Sequence, residues 1–161
     1  MTSRIETFPE TKIVGKHLRM SLTQDRTLEL FRSFMPARKE ISNVLTPEIF
    51  CMQVHDQVPD YSDFKPEVQF EKWAALAVAD FKDIPAGMET YTIKGGLYAV
   101  FIHKGPASEG DKTFRYIFTT WLPASIYELD HREHFELLGA KYKNNDPESE
   151  EEVWIPIRVR G

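Results

Sequence analysis

Glu136, in His131-Arg132-Glu133-His134-Phe135-Glu136-Leu137-Leu138, stands among imidazole and aromatic side chains that change what a carboxyl group can do. Side chains alternate along an extended strand, so Glu136 shares a face with His134 and Leu138 and lies opposite Phe135 and Leu137. A carboxyl whose ordinary pKa is about 4.3, brought into an aromatic interior, either takes up a proton or receives a cation. Attraction to a cation about 4 Å away is of order 4 kcal/mol at an effective dielectric of about 20, before desolvation is subtracted. The plainer reading of the same spacing is an exposed strand glutamate paired with Lys141 or Arg132. His131 and His134 also crowd imidazoles beside carboxylates, but the spacing is not His-Glu-x-x-His, and an extended chain points them to opposite faces. No metal is expected.

Aromatic side chains supply the rest of such a site. Trp73 and Trp154 occupy corresponding places in two similar stretches, Glu71–Val78 and Glu152–Val159, and Tyr98, Tyr116, Trp121 and Tyr142 add flat surfaces with polar handles. Stacking and cation–π contacts of roughly 0.5 to 2 kcal/mol each would let a pocket accept varied amphipathic ligands. Phe114, Ile117, Phe118 and Leu122, at helical spacing, read instead as a core stripe. Cys51, the single cysteine, excludes an intrachain disulfide and reads as a small buried hydrophobe. There is no nucleophile elbow, phosphate-cradling glycine loop or CxxC pair, so no cofactor is implied.

The elements that must position these residues are written twice. Phe31-Arg32-Ser33-Phe34-Met35-Pro36-Ala37 returns as Phe118-Thr119-Thr120-Trp121-Leu122-Pro123-Ala124, an apolar helix ending at Pro-Ala. In the first half a strand over 11–18 precedes a helix with Thr23 as N-cap, and strands over 49–55 and 73–78 follow, joined by a polar connection over 57–66. In the second half a strand run over 91–103, interrupted at Gly95-Gly96, precedes a helix that Pro123 stops or kinks. Strands over 134–138 and 153–159 close it, separated by the polar segment 143–152. The expected class is α+β: one domain over 1–161, with half one at about 1–83 and half two at about 88–161. Each half reads as a β-α-β-β module with one main helix, and the seam between two related halves is a natural place for a ligand pocket.

Bulk properties narrow the function. A chain of 161 residues with 42% hydrophobic and 28% charged residues can build a core, burying roughly 70% of its unfolded surface. The net charge of −5 and the lack of a basic stripe argue against direct nucleic-acid binding. The N-terminus lacks an apolar signal core and no window approaches a membrane span, so a cytoplasmic protein is expected.

From Gly95 onward the chain carries Tyr98-Ala99-Val100-Phe101-Ile102-His103-Lys104-Gly105-Pro106, Trp121-Leu122-Pro123-Ala124-Ser125, Phe135-Glu136 and Glu152-Val153-Trp154-Ile155-Pro156-Ile157. This series resembles the GyrI-like small-molecule-binding family, the effector-binding domain of bacterial AraC-type and multidrug-responsive transcription activators. The resemblance implies paired β-α-β-β modules related by a pseudo-twofold, with antiparallel sheets, two main helices and a pocket between the halves, and places the family's pocket carboxylate, which receives lipophilic cations, on Glu136. It puts pocket-lining rings at Trp154, Tyr98 and Trp73. Ala107 stands where the family often has an aromatic, Glu133 where it often has Pro, and Leu138 where Tyr is common, so the ligand range is expected to differ. With no room for a helix-turn-helix, the chain reads as a stand-alone member.

The leading expectation is a non-enzymatic binding domain for hydrophobic, cationic amphipathic ligands, in drug or toxin sensing or sequestration, with Glu136, Trp154, Trp73, Tyr98, Tyr116, Trp121 and Tyr142 as ligand contacts. The alternative is a hydrolase of cyclopropane-type electrophiles, with Glu136 polarising water and Tyr142 or Tyr98 donating a proton. A third reading is a DNA gyrase-interacting inhibitor, whose acidic segment Asp146–Glu152 would meet the enzyme. A homodimer is a further candidate partnership.

Overall fold

The computed structural model describes residues 3–143 and 145–161; Met1, Thr2 and Asn144, the last within the polar segment 143–152, lie outside the described residues. In chain order the elements are β1 (Ser3–Phe8), β2 (Thr11–Met20), α1 (Thr27–Ala37), β3 (Val44–His55), β4 (Phe70–Val78), β5 (Glu89–Ile93) and β6 (Gly96–Lys104). Then come α2 (Gly110–Tyr116, running on through Ile117–Trp121 to Leu122–Ala124), β7 (Tyr127–Leu129), β8 (His134–Leu138) and β9 (Glu150–Val159).

The α+β class stands, with one correction: among the described residues a single nine-stranded antiparallel sheet replaces separate sheets. Its order is β1-β6-β9-β8-β3-β4-β2-β5, with β7 against β9. The second half therefore contributes β6-β9-β8, the first β3-β4-β2, and β8 meets β3 at the seam. The run over 91–103 is two strands. β5 ends on β2, and the chain crosses through Gly95 and Gly96, whose φ angles of 81° and 128° suit glycine, to start β6 beside β1 and β9.

Short links roll this sheet up. Pro9-Glu10 joins β1 at one edge to β2 beside the other edge, and Lys94-Gly95 joins β5 to β6. Such a link spans about 10 Å, whereas adjacent strands alone are about 4.8 Å apart, so a flat sheet this wide cannot be bridged that way. The enclosed face carries Ile13, Phe50, Met52, Trp73, Tyr98, Phe135 and Trp154, with Phe8 of β1 within 6.2 Å of Phe50.

Both helices lie on the outer face. Leu30 and Phe34 of α1 pack on Val14, Leu76 and Val78, and Ile117 and Phe118 of α2 pack on Ala99, Phe101 and Ile155. Thr23 does not cap α1; Asp25 accepts the Thr27 amide at 2.9 Å, and the helix begins there. α2 ends at Pro123-Ala124, as the phrase predicts, and a π-type turn at Ile117–Trp121 precedes that end: a proline lacks the amide that would bond Thr119 and crowds that carbonyl, and the wider turn takes up the misfit.

Candidate functional site

A cleft of about 1860 Å³ opens between the two helices, on the outer face over the β3–β8 seam. That exceeds the roughly 300–1,000 Å³ typical of drug-sized ligand pockets, so it has room for bulky molecules. Strand alternation and register set its floor. Cys51 pairs with Glu136 and Gln53 with both His134 and Lys72, which brings Cys51, Gln53, His134, Glu136 and Lys72 to one face. Glu151 of β9 joins them, Phe31 and Met35 of α1 and Phe114 and Phe118 of α2 form the walls, and Tyr61 and Tyr142 reach in from loops.

Glu136 is half-buried, and its Oε2 accepts a hydrogen bond from Gln53 Nε2 at 3.0 Å. No Lys, Arg or His nitrogen lies within 4 Å of its carboxylate among the described residues. Burial pushes its pKa up, partly opposed by the Lys72 charge and the Gln53 bond. The Lys72 ammonium donates to Thr27 Oγ1 at 2.9 Å. Burial disfavours its charge, but the acids around it, Glu136 and Asp25 among them, leave its pKa raised. Burial also lifts the Cys51 thiol to about 12, so it is no thiolate nucleophile at neutral pH. At the other end His134, with its Nε2 buried and unpartnered, packs edge-on against His55 at 5.0 Å. Burial holds both rings neutral, His55 down at about 4.

Glu151 is pushed to about 7 by burial first and then by the Glu136 charge. A carboxyl raised in this way favours the folded state while protonated and loses that contribution as pH rises from its ordinary value near 4.5 through about 7. The depressed histidines work oppositely, losing their contribution as pH falls from 6.5 through about 4. Glu151→Gln is accordingly expected to raise the melting temperature by roughly 2–4 °C at pH 8, where wild type carries the ionised acid, and to leave it unchanged near pH 4.5. Thermal denaturation at the two pH values checks this; a lower melting temperature at pH 8 would contradict it.

Comparison with known proteins gives this geometry a context. Residues 1–158 match the family described as the GyrI-like small molecule binding domain. The chain belongs to that family. The GyrI-like domain is 27% identical to the transcriptional regulator BrlR of Pseudomonas aeruginosa over 161 residues, 98% of this chain and 56% of BrlR, so it spans little more than half the length of that relative. Its fold is shared with the crystal structure of the EcmrR C-terminal domain, at TM-score 0.74 and 18% identity over 99% of this chain and 98% of that one. It is shared too with the structure of SAV2435 bound to tetraphenylphosphonium, at TM-score 0.67 and 13% identity over 98% and 94% of the two chains. No helix among the described residues of the GyrI-like domain is long and apolar enough to cross a membrane.

Within this GyrI-like domain the expected site residues separate. Glu136 and Tyr142 line the cleft together. Trp154, Trp73 and Tyr98 lie across the sheet, in the enclosed core, because Phe135 pairs with Trp154 and Met52 with Trp73 one residue out of step with Glu136 and Cys51. The Tyr98 hydroxyl donates to the Glu133 carbonyl at 2.8 Å, and Trp73 stacks on His17 at 4.4 Å. Tyr116 and Trp121 pack into the α2 core, Trp121 edge-on to Phe101 at 5.0 Å. Lys141 and Arg132 bond other acids, Glu150 and Asp130. Gln53, Lys72, Glu151 and Tyr61 also line the cleft, though no sequence pattern marks them, while Phe118 packs in the core as its helical spacing predicts and borders the cleft as well. The recurring phrase was the available signal for the walls, since its first residues, Phe31 and Phe118, both border the cleft.

Proposed function

We propose that this domain binds bulky lipophilic cations in the cleft, with Glu136 as countercharge and the wall aromatics as contact surface. The observation that carries this reading is a carboxylate on the floor of an aromatic cleft with a hydrogen-bonding neighbour, Gln53, but no ion-pair partner within 4 Å among the described residues. A half-buried charge left in this state gains from an organic cation that brings little hydration to be stripped. The tetraphenylphosphonium held by the fold neighbour SAV2435 supports the ligand class, and kinship with BrlR supports a role in ligand-controlled transcription.

Tetraphenylphosphonium and tetraphenylborate have nearly the same shape and opposite charge, so calorimetric titration with each separates a cation site from a merely greasy one. Saturable binding of the phosphonium alone is expected. Equal binding of both ions, or of neither, would overturn the reading.

A further inference from the structure

The connection between β3 and β4, residues 56–69, places an aromatic ring inside the cleft. Tyr61 lies on Phe118 with ring centroids 3.6 Å apart and planes 6° from parallel. Phe64 is parallel to Tyr61 within 9°, and Phe114 to Phe118 within 9°. Ring carbons in van der Waals contact are themselves about 3.5–4.0 Å apart, so a centroid separation this short leaves almost no lateral offset. Two neutral rings prefer offset or edge-on geometry and gain least from such a face-to-face arrangement. A ring carrying positive charge gains most over a π face, because the ring quadrupole attracts it.

Little besides this contact holds Tyr61. The backbone of 56–65 makes no hydrogen bond to the body of the protein among the described residues; the first such bonds come at Pro66, whose carbonyl accepts from Leu22 and Thr23 at 3.0 and 3.3 Å. Asp60 turns back on Ser62, and Asp56 meets the exposed Arg19. Burial first, and then the charge of the Glu136 carboxylate, raises the Tyr61 hydroxyl pKa.

We propose that Tyr61 is an internal occupant of the ligand site: its ring fills, against Phe118, the place of a flat aromatic cation, and a ligand of that class binds by displacing it. This rests on the reading of the cleft as a cation site and adds the shape of the preferred cation and the side chain that competes with it. A competitor tied to the chain lowers apparent affinity by the fraction of molecules in which the slot is free.

The test is calorimetric titration of the full chain, as wild type, Tyr61→Ala and Phe118→Ala, with 10-methylacridinium as the flat cation and tetraphenylphosphonium as the non-planar one. Tyr61→Ala is expected to tighten methylacridinium about five- to tenfold and to change tetraphenylphosphonium by less than about twofold, while Phe118→Ala weakens methylacridinium about tenfold. A Tyr61 that merely formed the wall would give the opposite sign, so weaker or unchanged methylacridinium binding in Tyr61→Ala overturns the proposal. If neither cation binds any of the proteins, the cation-site reading fails with it; if both bind and only the Tyr61 effect is missing, this inference alone fails. Limited proteolysis of wild type is the second readout. Saturating methylacridinium should speed cleavage across 57–65, and unchanged or slower cleavage there counts against displacement.

Discussion

Glu136→Gln is expected to weaken tetraphenylphosphonium binding by about 10- to 100-fold at pH 8. The amide keeps the shape of the carboxylate and can still accept from Gln53, so the variant removes the charge and little else. Attraction of order 4 kcal/mol at an effective dielectric of about 20, less the cost of stripping water from both ions, leaves roughly 1.4–2.8 kcal/mol, which is that range of affinity. Because burial raises the Glu136 pKa, wild-type affinity should fall as acid protonates the group, and the variant should lose this pH dependence. Titrations at pH 8 and pH 5 on both proteins measure the two effects. An affinity unchanged at pH 8 would show that another group supplies the countercharge.

The largest loss of stability is expected one residue away, on the other face of the same strand. Phe135 is 1% exposed, and its ring lies 5.0, 5.3, 5.2 and 5.4 Å from Phe8, Phe50, Tyr98 and Trp154. Those neighbours come from separate strands of a rolled sheet, which cannot close on a void without moving several strands at once. Phe135→Ala should therefore cost about 3–5 kcal/mol, the range for a buried phenylalanine whose surroundings do not collapse. Urea denaturation would measure it; a loss below about 1.5 kcal/mol would mean that the interior relaxes around the missing ring.

The contrast between Phe135 and Glu136 also marks what was legible in the sequence. Alternation alone separates these two side chains, and the helical spacing of Phe114, Ile117, Phe118 and Leu122 announces α2. Alternation cannot say which face of a strand is enclosed when both faces are apolar, as on β4 and β9, and so Trp73, Trp154 and Tyr98 were expected beside Glu136. The deciding fact is the roll of the sheet, set by the links Pro9-Glu10 and Lys94-Gly95, whose consequence depends on strand order. Gln53 depended on the register of β3 with β8 across the seam and Lys72 on the register of β3 with β4, neither of which a local pattern carries. Tyr61 lies in an irregular connection, where neither period applies.

The enclosed core has a consequence for how the protein is made. Phe8, Ile13, Phe50 and Trp73 meet Tyr98, Phe135 and Trp154 in one interior, and pairs such as Ile5 with Ala99 and Cys51 with Glu136 join chain segments far apart in sequence. Loop-closure entropy must be met before these contacts reward it, which makes for slow, all-or-none folding. Until β8 has been synthesised, β3 is a bare edge carrying Ile49, Phe50 and Met52, open to pairing with another chain. The strand that carries Glu136 thus also closes the edge at which a growing polypeptide of this kind is most exposed to aggregation.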